Sequence, residues 1–283
     1  LSPDLVAKLQ KNPELLQLGG DSRELSIMFT DVRGFTTISE HYGEDVQGLT
    51  KIMNRYMTAM TKKIIENNGT LDKYIGDAQM AFWNAPLDND NHAEDSVRTA
   101  LAMMESLDEF NNEIADEGIP AFGMGLGINT DTVVVGNMGS DQRFDYTCLG
   151  DGVNTAARLE GQSKNYGVKI LLGPKTAEAI KDDYTILELD NIAVKGKTVG
   201  VQIYTVIDSK SSTTLAAQKH HEVMHAKYRD QDFEAVMAYC KSLKLEFGGV
   251  MKDYYEMWIQ RCEDLKTQDL AADWDGVFRA TSK

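Results

Sequence analysis

Two aspartates each lie at the end of an apolar, strand-like stretch of sequence, and each has a glycine close by. Asp31 lies in FTDVRGFT (29–36) and Asp77 in LDKYIGDAQMAF (71–82). Mg²⁺ prefers oxygen ligands and keeps part of its water shell, so one or two carboxylates and the phosphates of a substrate usually hold it. Two aspartates on neighbouring strands meet that need. The alternative is that Asp31 caps a helix and Asp77 occupies a turn, which are common uses of aspartate.

Two other pairs have a spacing of one helical turn. Asn154 and Arg158 lie in DGVNTAARLEGQSK (151–164) and so share one face of a predicted helix, where they could contact one ligand together or form an ordinary exposed surface. His221 and His225 could share a metal ion by the same geometry. Because no third ligand is evident in the sequence, we predict that these histidines lie on a solvated helix face.

Composition narrows the functional class. The chain has 283 residues, 42% of them hydrophobic, which is enough for one large core or a core with a satellite domain. Its net charge of −15 repels a nucleic-acid backbone and argues against a DNA- or RNA-binding protein. The three cysteines have no metal-type spacing and are odd in number, which favours a reducing compartment, with the cytoplasm as the expected location.

The order of the predicted elements indicates the fold. LSIMF (25–29) reads as a buried strand, and a helix with apolar residues at three- and four-residue steps follows it. Two strands, 70–75 and 78–83, are separated only by Gly-Asp, which favours a tight hairpin. A second helix and strands at 122–129, 132–138 and 143–150 complete the pattern. This order predicts a ferredoxin-like α+β sandwich with a small all-α C-terminal extension.

Composition also suggests three segments. Residues 1–21 carry a short helix signal that ends at Gly19-Gly20 and are predicted to be a lead-in helix. Residues 22–208 form the main predicted domain. Beyond Asp208 a polar linker leads to a stretch, 209–283, that reads as helices only. It resembles one tetratricopeptide-type unit, which cannot bury its apolar face alone, and a plain helical hairpin is the alternative. The chain starts with Leu1 rather than Met, which indicates a piece of a longer protein.

Three long motifs in this order resemble the class III nucleotide cyclases, the catalytic domain of adenylyl and guanylyl cyclases. They are FTDVRGFT, KYIGDAQMAF and FDYTCLGDGVNTAARLE (144–160), and the resemblance covers about residues 22–207. The lead-in also looks like the stretch that precedes this domain in bacterial cyclases with membrane sensors, so an upstream sensor or membrane anchor is compatible with this start.

The resemblance implies roles for individual residues. Asp31 and Asp77 match the aspartates that hold two Mg²⁺ or Mn²⁺ ions per site, with the Val32 carbonyl as a further ligand. The implied substrate-binding and catalytic residues are the triphosphate-binding backbone of Gly34, Phe35 and Thr36, the base-selecting Lys73 and Thr147, the ribose-orienting Asn154, the transition-state Arg158, and the phosphate-binding Lys195, or Lys197 if the register is shifted.

The base-selecting pair favours adenine. Adenine offers an acceptor at N1 and a donor at N6, which suit the Lys73 ammonium and the Thr147 oxygen, whereas guanine offers the opposite pair. Lys73 could instead be a surface lysine that pairs with an acid across the hairpin. Cys148 lies one position away from the selecting position and is not assigned to it.

The resemblance therefore implies an adenylate cyclase that converts ATP to 3′,5′-cyclic AMP and pyrophosphate. It also implies a head-to-tail homodimer in which each site takes its metal aspartates from one chain and its base- and ribose-binding residues from the other. A guanylate or dual-specificity cyclase and a non-catalytic nucleotide-binding regulatory module remain open as alternatives.

Overall fold

The computed structural model describes residues 6, 10, 18–140, 142–193, 200–208, 210–270 and 274–279 of the chain. These residues form two compact units, Leu1–Gly161 and Gln162–Lys283, which are described separately. Of the predicted lead-in helix, only Val6 and Gln10 are described before residue 18, and both are helical. Among the described helices, none is both long enough and apolar enough to cross a membrane.

The first unit contains five strands of an antiparallel sheet in the order β2-β3-β1-β4-β5. The strands are β1 (Gly19–Arg33), β2 (Thr70–Ile75), β3 (Ala78–Trp83), β4 (Gly123–Gly139) and β5 (Phe144–Leu149). Its helices are α1 (Phe35–Tyr42), α2 (Val46–Glu66), α3 (His92–Ala115) and α4 (Asp151–Ser163). Read from β1 to β4, the elements follow the β-α-β-β-α-β order of a ferredoxin-like sandwich, so the predicted fold class is confirmed.

Two strands differ from their predicted bounds. β1 begins at Gly19, so Gly19-Gly20 starts a strand instead of breaking a helix, and residues 122–129 and 132–138 join into the single strand β4. Both differences have one cause, since β1 pairs with β4 along its whole length, from Gly19 opposite Asn137 to Arg33 opposite Gly123. Continuous pairing satisfies the backbone of the polar stretch between the two predicted strands.

The helices of this unit bury one face each. The buried positions of α2 are one turn apart: Ile52, Tyr56, Met60 and Ile64. Val46, an apolar residue at the first position of α2, is exposed. On the sheet, Leu25, Ile27, Phe82, Val133 and Val135 form a separate hydrophobic cluster with Val153 and Ala156 of α4. The predicted spacing of three to four residues between buried positions was therefore right, but not every apolar residue of α2 is buried.

The described residues of the second unit form strands in the order β6-β8-β7-β9 and four α-helices. The strands are β6 (Ile170–Leu172), β7 (Thr185–Ala193), β8 (Val201–Ile207) and β9 (Phe278–Arg279). The helices are α5 (Pro174–Ile180), α6 (Ser212–Arg229), α7 (Phe233–Leu243) and α8 (Lys252–Lys266). The prediction that 209–283 holds only helices was wrong, because β9 pairs in parallel with the end of β7.

The helices of the extension bury polar side chains against β7. The prediction of a solvated face for His221 and His225 was wrong, since both side chains are buried. His221 Nε2 lies 2.6 Å from the Glu188 carbonyl oxygen, and His225 Nε2 lies 3.0 Å from the Tyr254 hydroxyl. The one-turn spacing showed that these histidines share a face, but α6 buries that face against β7 and α8.

Candidate active site

Asp31 and Asp77 come together at one end of the first unit. Asp31 follows Thr30, the last residue of β1 that pairs with β3, and Asp77 lies in the two-residue turn that joins β2 to β3. Because β1 and β3 are neighbouring strands, the two aspartates lie at the same end of these strands. Burial and the negative charge of Asp77 raise the pKa of Asp31, while the charge of Arg33 opposes the shift. The two carboxylates therefore interact electrostatically.

A third carboxyl group, Glu160 on α4, belongs to this cluster and was missed by sequence reasoning. Burial raises its pKa to about 7, and the charges of Asp31 and Asp77 act in the same direction. Arg33 Nη2 lies 2.5 Å from Glu160 Oε1 and donates to the Glu160 backbone oxygen at 3.0 Å. Since 127 residues separate Arg33 and Glu160, no local pattern could have paired them.

The predicted triphosphate-binding backbone lies at a helix start. Gly34 precedes α1 with a φ of 80°, in the left-handed region that glycine adopts without strain, and Phe35 is the first helical residue. The first backbone N–H groups of a helix have no partner within it and attract anions. The strand that carries Asp31 and Val32 ends at Arg33, directly before Gly34, Phe35 and Thr36. Their role in binding phosphate stays a prediction.

Lys73 and Thr147 meet through a residue between them in space. The Thr147 hydroxyl donates to Asp72 Oδ2, and the Lys73 ammonium lies 3.3 Å from Asp72 Oδ1. Lys73 thus pairs with its chain neighbour and not with an acid across the hairpin. Cys148 packs in the hydrophobic core, where burial raises its pKa to about 12. Because successive strand residues face opposite sides, Thr147 contacts Asp72, the chain neighbour of Lys73, while Cys148 faces the core.

Asn154 and Arg158 are both exposed on α4, one turn apart, as their spacing predicted. Gly127 of β4 determines how closely this helix approaches the sheet. A Cβ atom at position 127 would lie 2.4 Å from the Ala156 oxygen and 2.2 Å from the Glu160 nitrogen, so only glycine fits without displacing α4. The helix that presents Arg158 also carries Glu160 in the carboxyl cluster.

The remaining predicted positions do not add to this geometry. Lys195 and its alternative Lys197 lie outside the described residues. Within the described part of the chain, no three His, Cys, Asp or Glu side chains form a group that could hold a metal ion. Asp31 and Asp77 supply two carboxylates, which is the number that Mg²⁺ commonly takes from a protein when phosphate oxygens and water complete its shell.

Comparisons with known proteins agree with this architecture. A family model described as the adenylate and guanylate cyclase catalytic domain matches residues 20–208. Adenylate cyclase 1 of Rhizobium meliloti (strain 1021) is 37% identical over 185 residues, which is 65% of this chain and 28% of that relative. The chain therefore spans less than a third of the length of this relative.

Two solved structures are similar in sequence and in fold. The adenylyl cyclase CyaB from P. aeruginosa is 34% identical with a TM-score of 0.63, and the match covers 68% of this chain and 98% of that one. The guanylyl cyclase Cya2 is 32% identical with a TM-score of 0.62, covering 69% of this chain and 97% of that one. Both base specificities are thus represented among the similar structures.

Proposed function

The chain belongs to the adenylate and guanylate cyclase catalytic-domain family, and from this premise we propose that it converts ATP to 3′,5′-cyclic AMP and pyrophosphate. The observation that carries the proposal is the placement of Asp31 near the end of β1 and of Asp77 in the turn before the neighbouring strand β3, next to the start of α1. Carboxylates beside a helix N-terminus suit a substrate that brings both divalent cations and a triphosphate.

The donor chemistry of this edge fits two Mg²⁺ or Mn²⁺ ions per site. Burial and, after it, the charge of Asp77 raise the pKa of Asp31, and Arg33 lies 4.0 Å from Asp31 Oδ2 as a partial counterion. Asp31 and Asp77, with the Val32 carbonyl, would hold the ions. When bound, the ions lower the pKa of the ribose 3′-hydroxyl and neutralise charge on the phosphates.

The protein's own groups bind and orient the nucleotide for attack of the 3′-oxygen on the α-phosphorus, with pyrophosphate as the leaving group. The N–H groups of Gly34, Phe35 and Thr36 bind phosphate oxygens, and Asn154 orients the ribose. Arg158 stabilises the negative charge that grows on the α-phosphoryl oxygens, an interaction whose loss typically costs ~10²–10³ in turnover. Lys195 is proposed to bind the terminal phosphates, and no side chain is assigned as general base.

Adenine is the proposed base because Lys73 and Thr147 lie together within one chain. The contact of both side chains with Asp72 supports their action as one pair. A lysine donor faces N1 of adenine and a threonine oxygen accepts from N6, whereas guanine would meet a donor with a donor. Polar sites of this kind can reject the mismatched base by ~10⁴ or more.

Assembly is proposed as a head-to-tail homodimer with two equivalent sites. Each site would take Asp31 and Asp77 from one chain, and Lys73, Thr147, Asn154 and Arg158 from the other. The chain contains both sets, so two copies suffice. ATP is the proposed partner molecule, and the cytoplasm is the proposed location of this portion of the protein.

A guanylate or dual-specificity cyclase is the second candidate, because the similar structures include a guanylyl cyclase at 32% identity. A threonine hydroxyl also accepts a hydrogen bond less strongly than a carboxylate, so its preference for adenine depends on how the hydroxyl is oriented. The two candidates predict the same reaction at the α-phosphate and differ only in the base.

The test is an assay of the purified chain with ATP and GTP, each with Mg²⁺ and with Mn²⁺. Cyclic AMP and pyrophosphate should form in equal amounts, and Asp31→Asn or Asp77→Asn should abolish both. Asp90→Asn, which alters an exposed acid outside the carboxyl cluster, is the matched control and should keep full activity. Cyclic GMP as the main product would support the second candidate, and nucleotide binding without pyrophosphate release would indicate a non-catalytic module.

A further inference from the structure

The residue next to Lys73 is a buried carboxylate in an irregular part of the sheet. Leu71 pairs with Ala81 and Lys73 pairs with Met80, so Asp72 is an extra residue, a β-bulge, in β2. Bulges change the direction of side chains and are enriched near functional sites. The Asp72 side chain is only 1% exposed, although the residues that follow it along β2 are at the surface.

A buried carboxylate is costly unless other groups compensate its charge. Its Oδ2 accepts a hydrogen bond from the Thr147 hydroxyl, and its Oδ1 lies 3.3 Å from the Lys73 ammonium. Among the described residues, Oδ1 has no partner that meets hydrogen-bond geometry, so its contact with Lys73 is ionic. Asp72 thus contacts both members of the proposed base-selecting pair.

The hydrogen bond to Asp72 determines which role the Thr147 hydroxyl can take toward a ligand. A hydroxyl carries one proton and two lone pairs, and a free hydroxyl can rotate to donate or to accept. An ionised carboxylate only accepts, so Thr147 must donate its proton to Asp72. The Thr147 oxygen then has only lone pairs to offer and can bind a donor such as an amino group.

We propose that Asp72 is a specificity-determining positioning residue, which holds the Thr147 hydroxyl as an acceptor and thereby selects a purine with an amino group at carbon 6. This inference rests on the proposed cyclase function and deepens it. Guanine has a carbonyl oxygen at carbon 6. The lone pairs of that oxygen would face the lone pairs of the Thr147 oxygen, so no hydrogen bond could form.

The groups around Asp72 act on its pKa in opposite directions. Burial raises the pKa of Asp72, while the hydrogen bond from Thr147 and the charge of Lys73 both lower it. The two partners therefore oppose desolvation and favour the ionised, acceptor-only form.

The first test compares ATP with GTP in Asp72→Asn. An amide has both a donor and an acceptor, so the Thr147 hydroxyl is free to reverse its direction. The ratio of kcat/KM for ATP over GTP should fall about tenfold, the effect of one hydrogen bond that no longer discriminates. Asp145→Asn is the matched control, because Asp145 is an exposed acid on β5 whose charge acts on Asp72, and its ratio should not change.

A double-mutant cycle distinguishes a hydroxyl-mediated effect from a general one. Thr147→Val should lower the ratio, and Asp72→Asn should then have no further effect on it, because no hydroxyl remains to orient. An equal fall of the ratio in the Thr147→Val background would overturn the proposal. An unchanged ratio in folded Asp72→Asn would overturn it as well, while the proposed function would stand.

A second measurement uses the unaltered protein, in case Asp72→Asn does not fold. Purine riboside triphosphate keeps the N1 acceptor of adenine but lacks the 6-amino group. Its kcat/KM should be about tenfold below that of ATP, because the Thr147 oxygen loses its donor. Equal values would overturn the acceptor role of Thr147. If the unaltered protein forms no cyclic nucleotide from ATP, the proposed function fails and this inference fails with it.

Discussion

Arg33 joins β1, the strand of Asp31, to α4, the helix of Arg158, because its guanidinium donates to the backbone oxygen of Glu160 at 3.0 Å. The same guanidinium forms an ion pair with the Glu160 carboxylate. The position of α4 is thus coupled to the charge near Asp31, since a movement of α4 would displace the Arg33 guanidinium, whose charge acts on Asp31.

Stability should depend on pH through Glu160. Its pKa is raised from 4.5 to about 7 in the folded state, so the folded protein holds this proton more tightly than the unfolded chain. Stability from this group is therefore present at pH 4.5 and is lost as the pH rises toward 8. In metal-free buffer, Glu160→Gln should gain about 2 kcal/mol of unfolding free energy relative to the unaltered protein between pH 5 and pH 8.

Urea denaturation at several pH values measures this difference. Glu109→Gln, at an exposed position of α3, is the control and should run parallel to the unaltered protein. A parallel curve for Glu160→Gln would show that Glu160 titrates normally.

Shared sites should allow complementation between inactive proteins. Asp31→Ala and Arg158→Ala should each abolish cyclase activity, because each removes a necessary group from both sites of a homodimer. Mixed dimers of the two variants have one site that retains all its groups, so activity should recover toward about a quarter of the original if chains pair at random. Proven mixed dimers without recovered activity would contradict sites shared between chains.

The spacing between β4 and α4 should be sensitive to one methyl group. Gly127→Ala places a Cβ atom within 2.4 Å of two backbone atoms of α4, so the helix must shift. We expect about 1–3 kcal/mol of destabilisation and a loss of kcat, since Arg158 moves with the helix. Gly161→Ala is the control on the same helix, where a Cβ atom meets nothing within 4 Å. Unchanged kcat in Gly127→Ala would show that this packing does not position Arg158.

Acid should destabilise the second unit through its buried histidines. Burial lowers the pKa of His221 to about 4, so below pH 6.5 the unfolded chain binds a proton that the folded chain does not. Stability is therefore lost as the pH falls, by about 2 kcal/mol from this group between pH 7 and pH 5. His221→Gln should flatten that slope, whereas His220→Gln, at an exposed neighbour on α6, should not. Identical slopes in both variants would assign the acid effect to other groups.

A buried ion pair should tie α8 to β7. Arg261 Nη1 lies 2.6 Å from Asp190 Oδ2, with side chains only 12% and 2% exposed. Arg261→Met should cost about 3–5 kcal/mol of unfolding free energy, because it leaves the buried Asp190 charge without its counterion. Adding Asp190→Asn should restore part of the loss. Arg229→Met, which breaks an exposed pair with Glu188, is the control and should cost less than about 1 kcal/mol.

The amino-acid sequence alone determined the parts of this protein that depend on local order. The Gly-Asp turn predicted the β2-β3 hairpin, the spacing of Asn154 and Arg158 placed them on one helix face, and the order of elements predicted a ferredoxin-like sandwich. These features follow from the periods of strands and helices and from turn chemistry, which act over a few residues.

Only the tertiary structure decided which distant groups share an environment. It brought Glu160 to the carboxyl cluster, Asp72 to Thr147 across 75 positions of chain, and the histidines of α6 into a buried interface. Burial and pKa depend on what packs against a side chain, and residues far apart in the chain supply that packing. A helix face that reads as polar can therefore be buried where another element provides hydrogen-bond partners for it.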